Sequence, residues 1–500
     1  MFSPLKTWSS SSSSGPYATP NPIRPKTSAM SRVAIVSGCK RPCCMQSSIR
    51  IYTVFPKRVT HSLYRARYAM LLYFIAKICC FCYYPCMSWG PDLLIYPFLF
   101  IAIYFETFLL VTFLSAPARA RRKRRISNST PRVAIIVPCY NEERTVAATV
   151  KSLLALDYPR EKLTVVLVDD GSTDSTPKVM AHFKEIPQVT IIRKENGGKH
   201  TALNAGIRAV PNAELIGCLD ADSFVEPDAL REVVACFAEP EVMATTAAMS
   251  VHEPKTIFER VQHAEYIFGI TVRHILSTIN GLYVTPGPFS LYRATVFEQL
   301  GGFIAAHQTE DMEMALRMQR AHMVIENAPR ARVYTKVPRT LPKLLTQRTR
   351  WTSGFLRNVI FSYRDLIANP RHGALGLVVL PFALLSFASG VLLFGTAIFL
   401  FGQQTAHMIS VTSGIPLSYT LAPRLHFGWF YLPISGLLLL SGSILLITMT
   451  FMIIGKRMSH TPGRLIPNVL VYLLLYGFVS PLWLFRAMAD TVTGTHRTWR

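Results

Sequence analysis

Acidic residues are scarce in this 500-residue chain: 29 Asp and Glu stand against 53 Lys and Arg, a formal charge of +24. The shortage is uneven. Residues 1–125 hold eighteen Lys and Arg against only Asp92 and Glu106, a surplus of sixteen that leaves eight for the other three quarters. Such a balance suits nucleic acid or anionic lipid, and here it lies beside apolar spans, where it sets orientation and meets headgroups. Membrane lipid is therefore an expected partner and nucleic acid is not. Charged residues are missing altogether from Gly373–Gly402, Gly428–Gly455 and Leu465–Phe485. Each run is long enough to cross a bilayer. Together with an apolar half of all residues, these runs exclude an ordinary soluble enzyme.

No His or Cys partners recur at zinc-ligand spacing, and seven of the ten cysteines fall before residue 87. Neither a zinc site nor a disulfide framework follows. Cys139, Cys218 and Cys236 lie in or near expected core elements, as buried thiols in a reducing compartment do. Residues 1–67 contain no acid at all and are rich in Ser, Pro and Arg, so disorder is expected there. An organelle transit peptide has this composition too. The preferred alternative is a start codon set too early, with Met30 or Met70 as later starts.

Tyr68–Met87 and Leu93–Leu114 are the first two spanning candidates, within 68–114, joined by the short turn Ser88-Trp-Gly-Pro-Asp92. Lys77 weakens the first. Glu106 inside the second is either functional or on a protected bundle face. The basic run Arg119–Arg125 should stay in the cytoplasm, so the soluble segment after it is cytoplasmic. The basic loop from Lys456 to Arg464 is cytoplasmic by the same rule, which puts loop 403–427 and the C-terminus outside. Five spans are expected, two before the soluble segment and three within 373–487, with 488–500 as a tail.

Residues 131–335 alternate strand-like and helical patterns. Val133–Pro138, Leu163–Val168, Val189–Ile192 and Leu215–Leu219 read as strands, and Asn141–Leu156 as a helix. This rhythm means a doubly wound, mostly parallel α/β sheet covered by helices. Residues 336–366 turn amphipathic and basic. Leu344, Leu345, Phe355, Leu356 and Ile360 oppose Lys343, Arg348, Arg350 and Arg357, as in helices lying along a membrane surface.

Strand ends in such a sheet are where ligands bind. At the first sits Val137-Pro-Cys-Tyr-Asn-Glu142, and at the second Asp169-Asp-Gly-Ser-Thr-Asp174, with Asp174 or Thr173 as a helix cap. Asn196-Gly-Gly-Lys199 combines close backbone approach with a point charge, yet lacks the spacing of a P-loop. Asp220-Ala-Asp222 leaves the fourth strand, and two such carboxylates can share a hard divalent cation with phosphate oxygens. Thr285-Pro-Gly-Pro-Phe-Ser290 is a rigid turn that either walls a pocket or only turns the chain. Thr309-Glu-Asp-Met-Glu313 opens a helix with Thr309 placed as its cap. Gln347, Arg350 and Trp351, spaced i, i+3, i+4, share one helical face.

In this order, followed by spans, these motifs resemble the membrane-embedded family 2 glycosyltransferases, which include hyaluronan, chitin, cellulose and poly-N-acetylglucosamine synthases. The resemblance covers roughly residues 92–487 and implies a GT-A-like sheet with an α-helical transmembrane region. It implies that Tyr140, Glu142 and Asp170 hold the uridine of a UDP-sugar, with Lys199 nearby. Asp220 and Asp222 would bind diphosphate and Mg2+ or Mn2+, Asp222 as the direct ligand. Asp311 would be the catalytic base beside Glu310. Gln347 and Arg350 would close the donor site, and Trp351 would meet the acceptor sugar. Thr285-Pro-Gly-Pro-Phe departs from the turn of several polymer synthases and leaves the acceptor, glycan or lipid, open.

The expectation is an inverting, metal-dependent β-glycosyltransferase, multi-pass in the plasma membrane with a cytoplasmic catalytic domain, that extends and exports a polysaccharide. The alternatives are transfer of one sugar to a lipid and a catalytically silent membrane scaffold.

Overall fold

The computed structural model describes residues 95–115, 130–413 and 436–494, all within one compact unit, Trp89–Arg500. The expected segment 1–67, the span Tyr68–Met87, the basic run Arg119–Arg125 and most of loop 403–427 lie outside the described residues.

A helix α1 (Tyr96–Leu114) precedes the sheet. The first half of the sheet is built from β1 (Val133–Cys139), α2 (Val146–Leu154), β2 (Leu163–Asp170), α3 (Thr176–Ala181), β3 (Val189–Lys194), α4 (Lys199–Arg208) and β4 (Leu215–Cys218). Its second half comprises β5 (Ser223–Val225), α5 (Ala229–Val234), β6 (Val242–Val251), α6 (Ile257–Thr278), β7 (Ser290–Arg293), α7 (Ala294–Leu300), α8 (Glu310–Arg320) and β8 (Val324–Thr335). Helices α9 (Leu341–Arg357), α10 (Leu380–Thr412), α11 (Gly436–Ser459) and α12 (Leu465–Thr493) follow.

The eight strands run β3-β2-β1-β4-β7-β6-β8-β5. β3, β2, β1 and β4 are mutually parallel, as are β6 and β8, whereas β7 is antiparallel to both its neighbours and β5 to β8. The sheet is thus mostly parallel and GT-A-like. Its strands are buried on both faces, which is why they read as continuous apolar runs. Ile135, Val137, Val165 and Leu167 face Val146, Val150 and Leu153 of α2. Ile136, Val166 and Val168 alternate to the other side, against Leu203 of α4 and Leu316 of α8. That second core continues without interruption into Leu109 of α1, Ile275 of α6 and Phe451 of α11.

Three expected boundaries move. The helix expected from Asn141 begins at Val146, because Asn141 turns left-handed at φ 56° and ends the strand abruptly. The last helix continues past the expected span to Thr493, through Arg486 and Asp490, so the tail expected from 488 is helical as far as that residue. In α9 the basic side is only partly solvated: Lys343 is exposed, but Arg348 and Arg357 are buried, while Ile360 just beyond it is exposed.

Four helical segments among the described residues, Tyr96–Leu114, Leu375–Thr412, Gly436–Ser459 and Leu465–Thr493, are long and apolar enough to cross a membrane. Their outward faces carry side chains such as Phe401, Leu446, Leu474 and Phe478, each more than two thirds exposed. Apolar exposure on that scale calls for lipid. Within the bundle, Thr448 donates to the Glu106 carboxylate across 2.6 Å, so Glu106 faces a neighbouring helix.

Among the contacts between the bundle and the sheet domain is a close crossing of α11 with α6. Thr271 Oγ1 of α6 donates to Phe451 O of α11 at 2.7 Å, and a Cβ on Gly455 would sit 2.3 Å from Ile267 O. Backbone cannot yield as a side-chain tip can. Gly455→Ala is expected to lower stability by about 1–3 kcal/mol, as overpacking does, read as a fall in the melting temperature of the detergent-purified protein.

Candidate active site

The loops leaving β1 and β2 are sewn together. Asn141 N donates to Ser172 Oγ at 3.0 Å, Thr173 N to Asn141 Oδ1 at 2.9 Å, and Glu142 N to Thr176 Oγ1 at 2.8 Å. Glu143 N and Thr176 N both donate to the Asp174 carboxylate, but the N-cap position of α3 is Ser175 rather than the expected Asp174 or Thr173. Tyr140 and Glu142 are half-buried on this wall, and Thr145 Oγ1 donates to Glu142 Oε2 at 2.7 Å.

Asp170 does something its sequence context does not disclose. Lys194 Nζ lies 2.6 Å from its Oδ1, Gly197 N donates to Oδ1 at 3.1 Å and Gly198 N to Oδ2 at 2.9 Å. One carboxylate thereby fixes the Asn196-Gly-Gly loop. Gly198 has φ +88°, open to glycine and strained for other residues, and it launches α4 with Lys199 as its first residue.

Lys199 is the hub. Its Nζ lies 2.7 Å from Asp220 Oδ1 and 3.1 Å from Glu310 Oε1. Burial works against its charge, but Asp220, Glu310 and Asp311 outweigh burial and hold the ammonium well above its ordinary pKa. Burial also acts on Glu310, where Lys199 wins and keeps the carboxyl below its usual range. Asp311 goes the other way: burial and then the charge of Glu310 raise it to about 6. Asp222 is raised to about 7 by burial, Asp220 and Glu142. Arg350 stands close enough to Glu310, Asp311 and Asp220 for all three to favour its charge, while burial lowers it to about 10.

Four carboxyl groups, Asp220, Asp222, Glu310 and Asp311, therefore surround two cations. No group of three or more His, Cys, Asp or Glu among the described residues could hold a metal by itself. The Asp220–Asp222 pair fits a hard cation that takes its remaining ligands from water and phosphate, since it offers only oxygen and an excess of negative charge.

The Thr285–Ser290 turn is part of this cluster. Thr285 Oγ1 donates to Asp311 O at 2.8 Å and Gly287 N to Asp311 Oδ2 at 3.3 Å. A Cβ on Gly287 would lie 2.8 Å from Lys199 Nζ and 3.0 Å from both Asp220 oxygens. The Pro-Gly-Pro sequence marked a rigid turn, and its partners were invisible in spacing.

Helix α9 closes the other side. Gly354 lets it touch Thr309, where a Cβ would lie 2.4 Å from Thr309 Cγ2, and Asn358 Nδ2 donates to Thr309 Oγ1 at 2.9 Å. Thr309 precedes α8 but does not cap it through its side chain; its hydroxyl donates instead to Ala306 O. Arg348 pairs with Glu265 of α6 at 2.7 Å and lies 4.4 Å from the Trp351 ring centroid. Trp351 is half-buried beside Tyr266 and Val337, and Gln347 Oε1 is buried without a hydrogen-bond partner. The structure thus gathers Lys199, Asp220, Glu310, Asp311 and Arg350 in one cluster with Asp222 at its edge. Asp170 is set back from it as the support of the Lys199 loop.

Residues 131–354 match the model of a family described as glycosyltransferase like family 2. A poly-beta-1,6-N-acetyl-D-glucosamine synthase from Staphylococcus epidermidis is 29% identical over 269 residues, 52% of this chain and 64% of that protein. One of the same name from Staphylococcus aureus is 30% identical over 225 residues, 44% of this chain and 54% of that protein. The chain thus spans less than two thirds of the length of either relative. Among solved structures, the mannosyltransferase PcManGT from Pyrobaculum calidifontis, in complex with GDP-Man and Mn2+, aligns with a TM-score of 0.51 at 21% identity. That alignment covers 80% of this chain and 99% of the other. At that identity the likeness concerns the fold. Residues 131–354 thus match a glycosyltransferase like family 2 model, and the ordered motifs, the sheet and the apolar helices accord with the resemblance to membrane-embedded family 2 glycosyltransferases.

Proposed function

We propose that this protein is an inverting, metal-dependent glycosyltransferase that uses a UDP-sugar and extends a polysaccharide processively. The observation that carries the reading is the Lys199 bridge between Asp220 and Glu310, with Asp311 alongside, at the carboxyl end of the sheet. The similarity to poly-beta-1,6-N-acetyl-D-glucosamine synthases makes N-acetylglucosamine the first sugar to test. The mannosyltransferase complex is a precedent for a nucleotide sugar with a divalent cation on this fold.

In this reading Tyr140 and Glu142 flank the uridine, while Asp170 shapes the loop that presents Lys199 to the diphosphate. A divalent cation, when bound at Asp222 and Asp220, supplies charge neutralisation for the leaving diphosphate. Arg350 stabilises the same developing charge, its guanidinium directed at the cluster by Glu310 and Asp311. Gln347 adds a carbonyl oxygen on that face, and Trp351 offers its ring to the acceptor sugar. Asp311 takes the proton of the acceptor hydroxyl. Its raised pKa makes it a stronger base than an ordinary carboxylate, whereas Glu310, neutralised by Lys199, stays anionic and orients that lysine. One base and no covalent nucleophile give a single displacement, so an α-linked donor yields a β-linked product.

The apolar helices support a multi-pass membrane protein, and the basic loop after α11 supports a cytoplasmic catalytic domain at the plasma membrane. UDP release by the detergent-purified chain, with UDP-N-acetylglucosamine and Mn2+ or Mg2+, tests the whole reading. Release that is abolished by chelation and accompanied by long product is expected. A product one sugar longer than an added lipid acceptor would replace processive synthesis by single transfer, and silence with every UDP-sugar would leave a scaffold.

Two variants sharpen the residue roles. Asp311→Asn is expected to reduce transfer by about 10²–10⁴-fold, the worth of a general base, while UDP affinity stays at the wild-type value; parallel loss of UDP binding would remove Asp311 from the acceptor side. Gly287→Ala crowds only the mobile tips of Lys199 and Asp220, so the protein should fold and melt normally. Its turnover should fall by about 10²-fold, the cost of misplacing a reacting group by an ångström.

A further inference from the structure

Helix α6 carries a cation that the donor cluster does not use. Among the described residues the Arg273 guanidinium makes no hydrogen bond or ion pair, and two of its three nitrogens, Nε and Nη2, are buried without a partner. Burying a charge unpaired is costly, so such a group calls for an explanation.

The neighbours of Arg273 do not supply the missing partner. Tyr266, Tyr283 and Glu265 are the ionisable groups that favour its charge. Glu265, the acid among them, is already taken, since Arg348 Nη2 lies 2.7 Å from its Oε2. Burial raises both tyrosines and keeps them neutral, so neither balances a cation.

The guanidinium is also held in a definite place. Tyr266, Gly269 and Arg273, spaced i, i+3, i+7, share one face of α6. The arginine folds back over Gly269, where a Cβ would lie 3.2 Å from Nη1. Arg273 as a whole is only half-buried, so Nη1 is the nitrogen that reaches accessible space. Tyr266 packs in one cluster with Trp351, and the Tyr283 ring lies 5.5 Å from that of Phe355. Trp351 and Phe355 are one turn apart on α9, so the two tyrosines beside Arg273 meet the helical face that carries Trp351.

These surroundings select a ligand. Arg348 is spent on Glu265, so a phosphate dianion would find one uncommitted cation with a carboxylate close behind it. A neutral saccharide asks for something else: N–H donors for its hydroxyl and amide oxygens, and aromatic faces for its C–H edges. Arg273 supplies the first, and Tyr266, Tyr283 and Trp351 supply the second.

We propose that Arg273 is an acceptor-binding residue, whose guanidinium donates to oxygens of the acceptor saccharide on the side of Trp351 that faces α6. The proposal rests on the transferase reading above, in which Trp351 meets the acceptor sugar.

The test uses the full chain in detergent and a β-1,6-linked N-acetylglucosamine tetrasaccharide, with equilibrium binding of UDP measured alongside. Arg273→Met keeps the length of the side chain and removes every donor. It should weaken tetrasaccharide binding by about tenfold or more, the worth of a hydrogen bond from a charged group. Arg273→Lys, which keeps the charge and loses the planar fork, should weaken it less. UDP affinity should not move in either variant, and the melting temperature of Arg273→Met should hold or rise, because an unpaired buried charge has been removed. Tetrasaccharide binding that is absent from the wild type, or equal in Arg273→Met, overturns the proposal. So does a fall in melting temperature with parallel loss of UDP binding, which marks a structural arginine. Polyprenyl phosphate binding that Arg273→Met loses while keeping the tetrasaccharide would overturn it as well, by assigning the cation to a lipid phosphate. If no form binds UDP, the nucleotide-sugar reading fails by itself, and the tetrasaccharide result still decides Arg273.

Discussion

One ammonium group organises this protein. Lys199 lies between carboxylates delivered by two distant parts of the chain, Asp220 at the end of β4 and Glu310 at the start of α8. Buried carboxylates at that spacing repel one another, and without a cation among them the strand and the helix could not converge. The same placement sorts the acids by task. The carboxyl that pairs with Lys199 is held ionised, while its neighbour Asp311, left with burial and a like charge, becomes the basic one.

Everything around the lysine serves to aim it. Asp170 and Lys194 fix the loop that ends in Gly198, and Gly287 leaves room for the ammonium where any side chain would intrude. On the membrane side, Gly354 and Asn358 hold Thr309, so the start of α8 is set by α9 as much as by the sheet. The aiming is a matter of small residues and backbone donors, which cost little to hold and leave little freedom.

How much of this could be read in advance depends on the range of the interaction. The four parallel strands were legible because double burial makes each a continuous run of branched residues ended by Asp or Gly. The ordered motifs likewise located Lys199, Asp220, Asp311 and Arg350. Strand β6 and the long β8 were not recognised, since their pairing joins segments about eighty residues apart and leaves no local period. The clamp on Gly197 and Gly198 was missed for a similar reason: a second acid before a turn looks like a ligand group until its partners are seen. The amphipathic pattern of 341–357 was correctly helical, with Leu344, Phe355 and Leu356 buried and Lys343 exposed, but Arg348 and Arg357 are buried as well. Buried arginines become tolerable only when a partner such as Glu265 comes from another helix, and sequence periodicity carries no sign of that.

The contact of α9 with Thr309 has a consequence for what counts as a domain here. The sheet ends at Thr335, which makes that residue look like a natural place to divide the chain. A fragment cut there would keep every strand and lose the helix that seats Thr309 at the start of α8, and it would strand Glu265 in a pocket emptied of its arginine. The sheet domain is therefore not portable: it cannot be lifted from its apolar helices and grafted to another anchor, because the start of α8, which carries Glu310 and Asp311, is seated by the segment that leads into those helices.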